Sequence, residues 1–514
     1  MDATTVAGIA SLLLAAAVTA DYLHDWKNRR ALVDIPLILT NSPLHPWIGR
    51  QPKDDYDEEM TRAYQKYTKN GKAFATPSFS RSSTVSIFPP QHSQEWRNVS
   101  TDRMSWRIRI TEEFLLKDVG LDLNWKVAAQ TTLICNRSAC IPQVQHHVAH
   151  AVDVGLEQLN LSGSSDSTKI KVVETVMGLS SELVVALVFC PGFASDTPFA
   201  KDIVNFVTQL EERVYHQRKY PVLLRPLFRR FSSITKTLHC TMAALKKILV
   251  PEVLRRIEQR RADKGSGSCS VFYMDVMIHL AFKEGHLDYS CSSADLQTAT
   301  LIAHHLLLIC WGMISPTWMF GTIMLFDLWS RTEYIAPLRQ ELECAVQKTN
   351  GIWTFDMFKH APRFESFTRE SLRMNPPSAM TNGRQALQPL PMESLGQTFY
   401  PGARIGFLPA RWVHRDPDHY LDPMTFDGYR FVDRETGRCD FRDTITPTET
   451  WLPFAIGVST CPGRLIGTRM IQVMVAKILL GYDAKLEDMD GDLLLHEDGF
   501  TIPRSDVEAS IKVR

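Results

Sequence analysis

Cys461 lies in the run Phe454-Ala455-Ile456-Gly457-Val458-Ser459-Thr460-Cys461-Pro462-Gly463-Arg464, just ahead of a mostly apolar stretch of helical character, Leu465 to Leu480. The spacing Phe-x-x-Gly-x-x-x-Cys-x-Gly describes a tight, glycine-bounded loop around one sulfur. A thiolate is a soft, strongly donating ligand. In the axial position of a haem iron it pushes electron density onto the metal and favours O–O bond cleavage. Gly457 and Gly463 let the backbone turn closely around the sulfur and aim amide N–H groups at it. Phe454 would pack against the loop and exclude water. A lone cysteine is ordinarily a small buried hydrophobe; here the spacing favours the iron ligand.

The loop resembles the haem-binding signature of the cytochrome P-450 monooxygenases, and Cys461-Pro462-Gly463-Arg464 resembles the fungal members. Three further segments stand in the family's order and spacing. Glu370-Ser371-Leu372-Arg373 with Asn375-Pro376-Pro377 resembles the Glu-x-x-Arg helix. His414-Arg415-Asp416-Pro417 and Phe426-Asp427-Gly428-Tyr429-Arg430-Phe431 resemble the segments between that helix and the cysteine. The resemblance covers essentially the whole chain and is specific in its C-terminal third. It implies a mainly α-helical fold with a small β region, and haem b as cofactor. Cys461 would be the axial ligand, framed by Phe454, Gly457 and Gly463.

Glu370 and Arg373 are three apart and so neighbours on one helix face. The family implies that such a pair, with an arginine like Arg430, forms a buried ion cluster fixing the loop beneath the haem, a structural rather than catalytic role. The resemblance also places a basic residue two positions before the cysteine, to meet a haem propionate. Ser459 stands there instead. Arg384 is the candidate replacement, with Lys126 behind it. His304, His305 and His414 have no second ligand three or four positions on and read as core or surface histidines.

Leu306 to Phe326 carries no charged residue and is long enough to cross a membrane. Its flanks lack the aromatic-then-basic interface pattern, so the favoured reading is a helix that is apolar all round because protein and cofactor surround it. The resemblance makes it the long helix crossing the haem face. The family's oxygen-activation motif then falls on Gly312-Met313-Ile314-Ser315-Pro316-Thr317. Relatives usually place an acid or amide followed by threonine there, and this chain has Ser315 and Pro316. Proline removes a helix hydrogen bond, frees the carbonyl of Gly312 and bends the helix. Ser315 and Thr317 flank it at roughly 100° on either side. Each is either a substitute relay hydroxyl or a polar spacer, with ordered water or a substrate hydroxyl as the other proton source.

The remaining residues bound the setting. Lys+Arg 57 balances Asp+Glu 57, so nothing points to nucleic acid, and 44% hydrophobic residues suit a large core with an apolar pocket. Ten cysteines without paired spacing fit reduced thiols facing the cytosol. Val6 to Ala20 is an uncharged aliphatic run followed by Lys27, Arg29 and Arg30. That charge order fits a retained single-pass anchor with a cytosolic downstream domain, although Val18-Thr19-Ala20 also resembles a cleavage site. Two units are expected: an anchor over residues 1–26, in the endoplasmic reticulum membrane, and a haem-thiolate monooxygenase domain over 27–514. No glycine-rich nucleotide loop follows a predicted strand, so electrons would come from a separate NADPH-cytochrome P-450 reductase. The function implied is insertion of one oxygen atom from O2 into a small hydrophobic secondary metabolite of terpenoid or meroterpenoid type. Two alternatives stand beside it: a haem-thiolate enzyme of rearrangement, dehydration or desaturation, and a non-catalytic membrane haem or ligand-binding protein.

Overall fold

Apolar residues at helical spacing dominate the middle of the chain, and helices form from them. In the computed structural model the described residues are 35–38 and 56–514, except 80–83, 122–125, 128–129, 132–141, 160–166, 190–192, 194–196, 218–219, 221–224, 264–271, 291–293, 488–490 and 498; before residue 35 only isolated positions are described. Most of the expected anchor, residues 1–26, therefore lies outside the described residues. Among the described residues, the helices of eight residues or more are α1 (Tyr56–Lys66), α2 (Trp106–Glu113), α3 (Pro142–Gln158), α4 (Val172–Val188), α5 (Thr197–Gln217), α6 (Ser233–Ala262), α7 (Tyr273–Lys283), α8 (Asp295–Trp329), α9 (Ile335–Lys348), α10 (Pro362–Met374) and α11 (Arg464–Gly481).

The apolar stretch around Leu306 lies within α8, which packs against α4, α5, α6, α10 and α11. Neighbours on all sides explain why it is apolar all round. Among the described residues it is the one helix long and apolar enough to cross a membrane, and most of that stretch is buried inside the fold. Helix α10 begins with Pro362, whose missing N–H costs nothing at a first helical position, and ends at Met374, ahead of Pro376-Pro377.

The small β region is dominated by a five-stranded sheet in the order Phe74–Pro77, Thr84–Ile87, Arg404–Phe407, Arg384–Ala386, Met104–Ser105. Its pairs are antiparallel except for the parallel second and third strands, where Val85 faces Arg404 and Ile87 faces Phe407. A three-stranded sheet joins Thr168–Lys171, Glu508–Val513 and Tyr482–Leu486. Two hydrophobic cores result, one among the helices and one around the five-stranded sheet. The segment leading to Cys461 runs between them. Trp451 and Phe454 join the helical core, while Leu452 and Ile456 join that of the sheet.

A buried ion pair ties α10 to α11. Arg469 donates to Glu365 at 2.8 Å and to Gln472 at 2.5 Å, and Gln472 donates to Thr368 at 3.2 Å. Burial pushes the Glu365 carboxyl up, against the pull of Arg469. Removing one member of such a pair costs about 3–5 kcal/mol, whereas replacing both by apolar residues is often neutral. Arg469→Met should therefore lower the thermal midpoint steeply, and adding Glu365→Leu should recover most of the loss. A double variant no more stable than the single one would show that packing, rather than an uncompensated charge, sets the cost.

Candidate active site

The backbone around Cys461 closes on itself. The Cys461 amide donates to the Phe454 carbonyl at 2.8 Å, and Thr460 donates to Gly457 through its amide (3.1 Å) and its hydroxyl (2.7 Å). Ala455 and Gly457 adopt positive φ, 59° and 67°. Outside partners hold the loop in that shape. Asn382 accepts from the Ile456 amide at 3.1 Å, and the Arg97 carbonyl accepts from Val458 at 3.1 Å. Gly457 lies so close to that carbonyl that a Cβ on it would stand 2.2 Å from the oxygen. Burial pushes the Cys461 thiol up, against the pull of the nearby backbone of Gly463 and of the Arg464 charge and amide toward the ionised form. Arg464 is itself fixed by the carbonyls of Ile445 (2.8 Å) and Cys461 (2.9 Å).

Glu370, Arg373 and Arg430 meet in one cluster. The Arg373 fork takes both Glu370 oxygens at 2.7 and 2.9 Å, and Arg430 Nε lies 3.1 Å from each. The Asp427 amide also donates to Glu370, at 2.9 Å. Arg373 Nη1 then donates to the carbonyls of His414 (2.6 Å) and Pro423 (2.8 Å). The His414 ring stacks on Trp451 with centroids 5.0 Å apart, and its Nε2 accepts from the Leu452 amide at 3.0 Å. His414 was expected as a core or surface histidine; it lies in the core, and it links the ion cluster to the start of the cysteine segment. Only a long-range contact reveals that link, so its spacing gave no signal.

Arg384 is fully enclosed. Its Nη groups donate to the carbonyls of Trp96 (2.6 Å) and Val99 (3.1 Å), which belong to the same segment that supports Val458. It lies directly behind that segment, without a carboxylate partner among the described residues, and burial lowers its pKa to about 10. Lys126 pairs instead with Glu284 at 2.9 Å on the surface. The Ser459 hydroxyl is buried and has no hydrogen-bond partner among the described residues.

Helix α8 runs unbroken through Pro316. From residue 301 to its end, Gly312 and Pro316 are its only exposed residues, and a Cβ on Gly312 would meet nothing within 4 Å. The flanking hydroxyls are engaged differently. Thr317 is buried and bonds to the Met313 carbonyl at 2.6 Å, whereas Ser315 donates at 2.6 Å to Glu211 of α5. Glu211 was not anticipated from the sequence, since a lone glutamate about a hundred residues away carries no spacing signal. Half-buried aromatic rings extend from Trp311: Phe114 lies 4.8 Å away, Phe79 5.9 Å beyond it, and Tyr215 and Phe500 5.2 and 5.0 Å from Phe79.

With this geometry in view, comparison with known proteins is decisive. The model of the cytochrome P450 family matches residues 41–510. The chain is a cytochrome P450. Curated relatives include the cytochrome P450 monooxygenase cpsD of Aspergillus campestris, 33% identical over 97% of this chain and 91% of its own length. The bicoumarin synthase desC of Aspergillus desertorum is 30% identical over 97% and 94%, and the bicoumarin synthase ktnC of Aspergillus niger 32% identical over 76% and 92%. The P450 is thus a monooxygenase related to enzymes of fungal secondary metabolism, not the non-catalytic binding protein left open by the sequence. Its family carries haem b on a cysteine thiolate and draws electrons from a redox partner.

The residues present fit that group. Among the described residues no three His, Cys, Asp or Glu side chains converge as a metal site. A single sulfur in a closed glycine-bounded loop suits a metal whose other ligands come from a macrocycle. Burial that disfavours a free thiolate is reversed by a cation bound to it.

Two outcomes follow for the loop. Gly457→Ala adds about 1–2 kcal/mol of left-handed strain and a clash with the Arg97 carbonyl, so haem content should fall before global stability does. The carbon monoxide difference spectrum of the reduced protein reads this, and full haem retention would show the loop to be pliant. The second concerns acid. Burial, then the Arg373 charge, lowers His414 to about 3. Below its ordinary 6.5 the unfolded chain takes up a proton that the folded chain refuses. Stability should therefore fall as pH drops from 6.5 toward 3, by about 1.4 kcal/mol per unit for this group. His304 and His496, each lowered to about 4, act in the same sense. His414→Gln keeps an acceptor for Leu452, so its stability from urea titrations between pH 7 and 5.5 should fall less steeply than that of the wild type, the difference approaching about one proton at the acid end.

Proposed function

We propose that the P450 oxidises a hydrophobic secondary metabolite with O2, Cys461 serving as axial thiolate and NADPH-cytochrome P-450 reductase supplying electrons. The observation that carries this is the single Cys461 sulfur held in a loop closed by the Cys461–Phe454 and Thr460–Gly457 backbone bonds and braced by Asn382 and the Arg97 carbonyl. When bound, the haem supplies dioxygen activation. Phe454, Gly457 and Gly463 shape the loop, and Glu370, Arg373 and Arg430 hold it in place. Arg384 lends positive charge from behind the Trp96–Val99 segment to the propionate side. Residues 1–26 anchor the chain in the endoplasmic reticulum membrane with the catalytic domain, 27–514, in the cytosol.

The substrate class is read from the aromatic rings of Phe79, Phe114, Tyr215, Trp311 and Phe500. They favour a planar, ring-bearing substrate, which a meroterpenoid provides through its aromatic part better than a purely aliphatic terpenoid does. A second reading is favoured by Pro316 and by the names of the two bicoumarin synthases. In it the P450 couples aromatic rings oxidatively, or desaturates, rearranges or dehydrates its substrate, without retaining oxygen from O2.

Reconstitution with the reductase separates these readings. The wild type should show the thiolate carbon monoxide spectrum and Cys461→Ser should lose it. Turnover of phenolic coumarins under 18O2 should give product heavier by one labelled oxygen. Unlabelled, coupled product would select the second reading, and a wild type without the thiolate spectrum would remove both.

A further inference from the structure

Pro316 occupies the place where the resemblance puts a relay alcohol, and a proline side chain can hold no proton. The nearest hydroxyls are those of Ser315 and Thr317. Thr317 is buried and committed to its own helix at Met313. Ser315 is half-buried, on the flank of the exposed Gly312–Pro316 face, and its Oγ lies 2.6 Å from Glu211 Oε1. Trp311, one turn earlier on the same stripe of α8, donates to that same oxygen at 3.1 Å. Glu211 thus reaches across from α5 and is clamped by two α8 donors. Among the described residues no cation pairs with it. Arg213, two positions on, turns its Nη2 to the carbonyls of Phe114 and Leu115 instead. Burial without a countercharge pushes the Glu211 carboxyl up, against the two hydrogen bonds.

The geometry points to a proton-passing pair split between two helices, in which the Glu211 carboxyl and the Ser315 hydroxyl deliver protons to the Gly312–Pro316 opening of the haem pocket. With the carboxyl protonated, the Ser315 hydroxyl turns its own proton from Glu211 to a water at the opening, and as that proton leaves, Oγ takes the proton of Glu211 Oε1. A solvent water on the α5 side then reprotonates the carboxylate. One proton moves, no electron does, and the O···O distance suits transfer in either direction. The acid and alcohol are thereby supplied by two elements instead of adjacent positions of one helix. Glu211 acts through Ser315 and is a positioning and proton-storing residue. This inference rests on the haem-thiolate reading above.

Glu211→Gln tests it cleanly, because glutamine keeps an oxygen for both α8 donors and cannot release a proton. Holoenzyme, reductase and NADPH are used without substrate, since a two-electron release of hydrogen peroxide from O2 consumes two protons and a one-electron release of superoxide consumes none. The wild type should release mainly peroxide. Glu211→Gln and Ser315→Ala should each shift release toward spin-trapped superoxide and slow NADPH oxidation by about 10²-fold, the lower range for a lost general acid. The double variant should be no worse than either, as expected of one pathway. Pro316→Thr in the Glu211→Gln background should restore peroxide. A second readout needs no turnover: the resting protein should show a protonated-carboxyl infrared stretch that Glu211→Gln removes and Ser315→Ala shifts. Wild-type product partition in Glu211→Gln, or no such infrared band, overturns the pair and leaves Glu211 a clamp between α5 and α8. An intact thiolate carbon monoxide spectrum in every variant separates that failure from failure of the haem-thiolate reading.

Discussion

Arg373 carries its charge where water does not reach, and the proximal half of the molecule is organised by how that charge is satisfied. Its side chain is fully buried, and its donors go to Glu370 on its own helix and to the carbonyls of His414 and Pro423 from two later segments. Glu370 in turn holds Arg430 and the Asp427 amide. A buried charge missing one partner is expensive, so these segments must assemble together. The consequence reaches Cys461, the proposed thiolate ligand, through His414. Its carbonyl takes Arg373 and its ring takes Leu452, from which the chain runs nine residues to Cys461. Burial keeps this ring neutral, and neutrality is what lets Nε2 accept. Protonation would replace the lone pair by a second N–H aimed at the Leu452 amide.

The loop itself is unfavourable backbone held from outside. Ala455 takes a positive φ without glycine's freedom, a conformation costing about 1–2 kcal/mol. The residues around it supply the compensation by entering both cores, Phe454 on one side and Ile456 on the other. Asn382 and the Arg97 carbonyl then fix the turn between them. Arg384 belongs to the same arrangement. By taking the carbonyls of Trp96 and Val99 it orders the segment that carries Arg97, and so supports the cysteine loop.

What could be read beforehand was what repeats locally. Glu370 and Arg373 share a helical face, the glycine spacing around Cys461 describes a turn, and the apolar composition of α8 describes a helix surrounded by protein. Arg430 was found because a family resemblance, not spacing, assigned it. The contacts that escaped notice join distant parts of the chain: Glu365 with Arg469, His414 with Leu452, Ser315 with Glu211. Each is a polar residue whose partner is set only when two elements cross. Arg384 was chosen for its charge, but its neighbours are carbonyls, which sequence cannot rank against carboxylates.

Pro316 shows why this departure from the family pattern is tolerated. A proline inside a helix forfeits one hydrogen bond and costs about 3 kcal/mol, more where the freed carbonyl is buried without a partner. In α8 the carbonyl released is that of Gly312, and Gly312 and Pro316 are the two exposed positions between residue 301 and the helix end. The freed oxygen therefore faces accessible space and escapes the burial penalty. Gly312, whose missing Cβ faces open space, keeps the approach wide. The same opening gives the Ser315 hydroxyl a destination one residue away while Glu211 holds it from behind. A proline at a fully buried turn of this helix, such as within residues 320–329, would free a carbonyl enclosed by protein, so its placement follows from the exposed face that Gly312 and Pro316 share.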